Sequence, residues 1–139
     1  MRSELVFFDS IKNSEKGTAK GAVALVSLIA LDAIWLTVMK KFYKKHIGHV
    51  MGKFRLIGGL IAWFFISCAL SVQSPKSLKE AMTYGALVGF VIYAVYNGTN
   101  FAIIKGWTTE VSLVDTAWGA TVCSIVSGIL YKIFGEYKK

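Results

Sequence analysis

A chain of 139 residues, 55% hydrophobic and 17% charged, carries too much apolar length for a soluble domain and has room for one compact unit. Its net charge of +8 does not mark a nucleic-acid binder, because the basic residues fall between apolar spans, where lipid phosphates would meet them. Cys68 and Cys123 both fall inside spans, which argues against a disulfide framework and leaves the redox compartment unread.

Residues 1–20 are mixed in charge, with Leu5, Phe8 and Ile11 spaced for one face of a short helix. The expected form is a frayed, partly interfacial tail. A docking helix for a soluble partner is the alternative. The first apolar span, 21–39, follows that tail, ends in Lys40-Lys41 and lacks an A-x-A-like cleavage site, so it reads as a retained helix rather than a signal peptide. Through 39–54, Met39, Phe42, Tyr43, Ile47, Val50, Met51 and Phe54 recur at three or four residues with lysines between them. This pattern predicts a basic amphipathic segment over 40–55, either lying at the headgroup level or continuing the first span into water. Lys40, Lys41, Lys44, Lys45 and Arg55 are its predicted contacts to lipid phosphates, anionic lipid above all. A solvated, snorkelling loop is the plainer alternative.

The second span, 56–72, is plain apart from Gly58-Gly59. The loop after it holds the only proline, Pro75, and Ser77 with Glu80 predicts a capping box opening the next helix. The third span, 81–104, carries Gly85 and Gly89. The fourth, 111–134, carries Ala120, Ser124 and Gly128. Small residues four apart let helix backbones approach closely. Asn97-Gly98-Thr99 matches a glycosylation sequon but sits at membrane depth, where Gly98 is expected to relax the helix.

Each span is long enough, or nearly so, to cross a hydrocarbon core of about 30 Å at about 1.5 Å per residue. The expected fold is an all-α, integral membrane bundle of four transmembrane helices with both termini on one side. The positive-inside rule does not orient it: of the 16 basic residues, nine fall on the side of the termini and seven on the other.

The rare polar residues within the spans gather toward one face. Asp32 and Asn97 lie about 10 Å deep, Asn100 toward the end of the third span and Asp115 near the start of the fourth. Trp35 and Trp118 each follow an Asp by three residues, which places each indole near its own carboxylate's face. The repeated Asp-x-x-Trp is either an inverted duplication or a chance pair. Asp32, Trp35, Asn97, Asn100, Asp115 and Trp118 are thus the expected buried polar cluster. Three roles stay open. The cluster locks helices through contacts worth about 0.6 kcal/mol each. Its acids bind or relay a proton or small solute. Or they serve as acid and base toward a lipid headgroup. The enzyme reading is the weakest, because no span contains a histidine, Cys68 has no base partner, and no catalytic residue is assigned. His46 and His49 offer two metal ligands where zinc needs three or four, so no metal or cofactor is expected.

Leu31-Asp32-Ala33-Ile34-Trp35-Leu36, Phe42-Tyr43 with Ile47-Gly48-His49, Gly85-Ala86-Leu87-Val88-Gly89, Tyr93-Ala94-Val95-Tyr96 with Thr99-Asn100, and Val114-Asp115-Thr116-Ala117-Trp118-Gly119 follow one another in an order that resembles domain-of-unknown-function family 2177. The resemblance covers roughly residues 22–126. It implies a small four-helix membrane protein, of a kind found in bacteria and some large algal viruses, with no assigned activity. The chain departs from the family where an Asp is common at Asn97 and where Trp-Pro is common at Trp107-Thr108. Proline-bearing residues are also common before the second span, where Arg55 stands. The missing carboxylate weakens an ion relay, and the N-terminal tail favours docking or assembly. The implied setting is multi-pass, in a bacterial inner membrane or a virion or host membrane, with lipids and membrane or capsid-type proteins as partners.

Overall fold

The computed structural model describes residues 2–135, which form four α-helices: α1 (Arg2–Ile47), α2 (Leu56–Ser71), α3 (Leu78–Ile103) and α4 (Thr109–Phe134). Among the described residues there is no strand. Lys138 and Lys139, counted above on the side of the termini, lie outside the described residues. Three helices are long and apolar enough to cross a membrane. The fourth, α2, has 16 residues, or about 24 Å of helix. The outer surface of the bundle is the apolar one: Val26, Phe65, Leu87 and Leu113 are each more than 60% exposed. A surface of this kind suits lipid rather than water.

One sequence expectation is corrected along α1, and a second is narrowed to one of its two alternatives. Residues 2–20 do not stand apart as a tail but continue the first span, giving a 46-residue helix of about 69 Å, twice a hydrocarbon core. Leu5, Val6, Phe7 and Phe8 lie exposed on this extension. The basic amphipathic segment also divides. Helix runs only to Ile47, whose carbonyl accepts from both Val50 and Met51, and residues 51–55 are irregular. The segment is therefore a continuation of the first span that ends in a turn, not a separate surface helix through Phe54.

Cross-helix bonds define the path. At one end Lys20 Nζ donates to the Gln73 carbonyl at 3.3 Å and Tyr131 Oη to the Lys76 carbonyl at 3.5 Å. At the other, Tyr43 of α1 meets Asp115 of α4, and His49 packs on Gly106 in the turn before α4. The helices therefore run up, down, up and down, with Lys20 and Tyr131 level. Gly106 takes a φ of +89° in that turn. A side chain there would be strained and would also strike the His49 ring. The predicted cap is present: Ser77 Oγ accepts from Glu80 N at 3.1 Å, while Glu80 reaches Lys76 N at 2.9 Å.

The tightest contact is between α3 and α4. A Cβ at Gly85 would collide with the Cys123 carbonyl and Ser127, and one at Gly89 with the Gly119 carbonyl. The matching stripe on α4 is Gly119, Cys123 and Ser127, one position from the predicted Ala120, Ser124 and Gly128. Of those three only Gly128 is buried, against Met82 and Leu78. The period was legible, but several α4 positions carry small residues, so the register was not. Nothing lies within 4 Å of a Cβ built at Gly98, and α3 runs through it without a break, so the expected relaxation does not occur. The main core joins α1, α2 and α4 through Leu28, Ile66, Leu70, Val122, Val126 and Leu130. α2 lies along α1 and meets α3 and α4 only sparsely. Tyr84 Oη, donating to the Ala69 carbonyl at 2.9 Å, is its one hydrogen bond to α3 among the described residues.

Candidate functional site

Both acids of the apolar spans are held by donors from other helices. Asp32 on α1 is buried and accepts from the Trp118 indole of α4 at 2.7 Å and from the Trp63 indole of α2 at 2.6 Å. Asp115 on α4 accepts from Tyr43 Oη of α1 at 2.8 Å and from Asn97 Nδ2 of α3 at 2.7 Å. Each of the four carboxylate oxygens thus has one donor, and every helix contributes to the network.

The two halves are joined through aromatic rings. Trp35 and Trp118 stack at 4.3 Å between centroids and 3° between planes. The Trp35 indole donates to Tyr43 Oη at 2.9 Å, and that hydroxyl donates to Asp115. A continuous path therefore runs from Asp32 through Trp118, Trp35 and Tyr43 to Asp115. Tyr43, Ile47 and Val111 close the end of the bundle below it. Asn97 is 1% exposed and donates a second time, to the Tyr93 carbonyl at 3.0 Å, while its Oδ1 has no partner.

The predicted cluster is brought together in part. Asp32, Trp35, Asn97, Asp115 and Trp118 all take part, but the pairing differs from the predicted one. Neither indole bonds the carboxylate three residues before it: Trp118 crosses to Asp32, and Trp35 bonds Tyr43 instead. Residues three apart share a helix face, but the Trp118 indole finds its acceptor on a neighbouring helix, α1, and the Trp35 indole finds one two turns further along α1 itself. Asn100 is half-buried and makes no side-chain hydrogen bond among the described residues, so it stands outside the network. The two acids share no donor. Trp63 and Tyr43 were missed by sequence reasoning. Trp63 carried a usable signal: an indole N–H in the middle of an apolar span needs an acceptor, and the spans hold only two carboxylates. Lys40, Lys41, Lys44, Lys45 and Arg55 are all exposed at this end of the bundle. His46 Nδ1 is spent on the Phe42 carbonyl at 2.9 Å. Among the described residues, no three His, Cys, Asp or Glu side chains are grouped to hold a metal ion.

A cavity of about 280 Å³ borders the network. Asp32, Trp35, Trp63, Tyr93, Asp115 and Trp118 line it on the inside. Leu36, Ala62 and Tyr96 line it too and are exposed, so its mouth opens sideways where α2 and α3 stand apart. A larger cavity, about 620 Å³, lies at the opposite end against Lys16, Lys20, Gln73 and Lys76.

Residues 19–131 match the family described as predicted membrane protein (DUF2177), and the chain belongs to that family. The match takes in every member of the network and leaves out residues 2–18, the first part of α1. No curated protein and no solved structure matches the chain.

Proposed function

We propose that this member of the DUF2177 family is a non-enzymatic component of its membrane, crossing it four times and presenting one fixed helix arrangement for assembly or membrane organisation. The observation that supports the reading is the donor set: four carboxylate oxygens, each bonded to a neutral donor from another helix. Single contacts of this type are worth about 0.6 kcal/mol on average within a membrane, so a linked set is needed to select one packing. The exposed extension of α1 beyond the family match offers a surface for a partner. On this reading the exposed Lys40, Lys41, Lys44, Lys45 and Arg55 meet anionic headgroups, and replacing the four lysines with Gln is expected to lower retention of anionic lipid.

Carriage of a proton or small solute is the second reading, and the cavity bordering both acids favours it. Flux across liposomes separates the two. The assembly reading expects no proton or cation flux above empty vesicles. Flux that disappears in both Asp32→Asn and Asp115→Asn would overturn it. Topology is tested by cysteine labelling. Ser3 and Ser74 should react from one side, Met51 and Lys105 from the other; Lys105 reacting from the side of Ser3 would break the four-crossing arrangement.

A further inference from the structure

The cavity between α2 and α3 has a chemical character that the helix-locking role does not require. Its inner wall combines three indoles, the Tyr93 ring and two carboxyl groups, and among the described residues no lysine or arginine lines it. The donors to Asp32 and Asp115 are indole, phenol and amide groups, all neutral. Two acids therefore border one small space with no basic side chain beside them. The indole N–H groups of Trp63, Trp118 and Trp35 are already bonded to Asp32, Asp32 and Tyr43. What these side chains add to the cavity is ring surface.

This combination selects among ligands. An anion would meet two carboxylates. A hard metal cation takes about six or more oxygen ligands, and here each carboxylate oxygen already accepts a hydrogen bond. A neutral apolar molecule would leave the acids without counter-charge. An ammonium ion bearing alkyl groups meets all the conditions. It is positive and weakly hydrated, it is attracted to aromatic faces, and it needs no free acceptor lone pair. At about 280 Å³ the space lies just below the usual range of small-molecule sites, about 300–1,000 Å³, so the ligand is small.

We propose that the cavity between α2 and α3 binds a small alkyl-substituted ammonium ion, with the rings of Trp35, Trp63 and Trp118 as its walls and Asp32 and Asp115 as its counter-charge. The inference goes beyond the assembly reading and holds whether or not anything is carried across the membrane. The ammonium group has two sources, a free cation or the choline headgroup of a lipid.

The test uses the full chain in maltoside micelles, which carry no ammonium group, and follows tryptophan fluorescence and equilibrium binding of choline. Saturable binding at least about tenfold tighter than that of 3,3-dimethylbutanol, the neutral carbon isostere, is expected, the scale of one desolvated charge contact. Equal binding of the two would overturn the proposal. Asp115→Asn is expected to weaken choline binding about tenfold. Because that variant also disturbs the network, Ala62→Leu serves as the second. It fills the mouth without removing a donor or acceptor, and should weaken choline binding about tenfold while the melting curve stays in place. Unchanged choline affinity in Ala62→Leu would equally overturn the proposal. Nanodiscs then separate the sources. Phosphatidylcholine displacing free choline, where phosphatidylglycerol does not, assigns the lipid headgroup; choline binding equally well in both assigns the free ion.

Discussion

The two seams of α3 are opposites. Toward α4 it is lined with glycine and small side chains, and the backbones touch so closely that no Cβ fits at Gly85 or Gly89. Toward α2 it stands apart, bridged by the Tyr84 hydroxyl and bordered by rings and carboxyl groups around a cavity. Lipid tails are as apolar as leucine, so helices in a membrane gain little from burying aliphatic surface against each other. Close backbone approach gives dispersion contacts that lipid does not match, and α3 and α4 use it. The other seam makes a space instead, and polar groups at its inner wall hold that space open by bonding across helices.

Substitutions can break this contrast in graded steps. The largest effect is expected for Gly89→Leu, whose side chain would have to displace the α4 backbone at Gly119. The cost should reach or pass the upper end of the usual overpacking range, about 1–3 kcal/mol, seen as loss of the monodisperse species on gel filtration or a sharply lower melting temperature in detergent. Trp118→Phe keeps a ring for the stack on Trp35 but takes one donor from Asp32. A cost of about 1–2 kcal/mol is expected in a melting curve, near the top of measured intramembrane contacts because the carboxylate is buried.

Smaller effects sharpen the comparison. Gly98→Ala should stabilise the chain by about 0.4–1 kcal/mol, because this glycine is helical, faces open space and serves neither seam. A destabilised Gly98→Ala would mean that the glycine is used by a packing arrangement other than this one. Tyr84→Phe removes the bridge from α3 to α2 and should cost about 0.6 kcal/mol, with faster hydrogen exchange in α2 than in α4 as the more specific sign. Ala62→Leu at the cavity mouth should leave stability within about 0.5 kcal/mol, since it adds apolar volume to open space.

Much of the fold was legible in the residues. Apolar length located four helices to within a few residues at most ends. Ser77 and Glu80 marked the start of α3, and the scarcity of polar residues in the spans singled out Asp32, Asn97 and Asp115. The errors of pairing and register share one cause. Helix periodicity says which residues share a face, not which neighbour that face meets. It placed Trp35 and Trp118 beside their own acids and chose Ala120 over Gly119. Asn100 was placed in the network on depth alone, though that side chain makes no hydrogen bond among the described residues. At the two ends of the first apolar span the residues carry no proline, and Gly17 and Gly21 do not interrupt the helix. Helix propagates once begun, and the polar stretches 2–20 and 40–47 follow the apolar span on both sides.

The sequence by itself determined the solvent and the secondary structure, since both depend on sums over neighbouring residues: enough apolar length to prefer lipid, and backbone groups that lipid forces into helices. Only the tertiary structure decided which donors serve which acid, and that α2 leans on α1 to leave a cavity beside α3. Those outcomes depend on the relative rotation of helices. A turn of one helix by a single residue exchanges Gly119 for Ala120 at the seam, and changes the face offered to the neighbour without altering any local pattern.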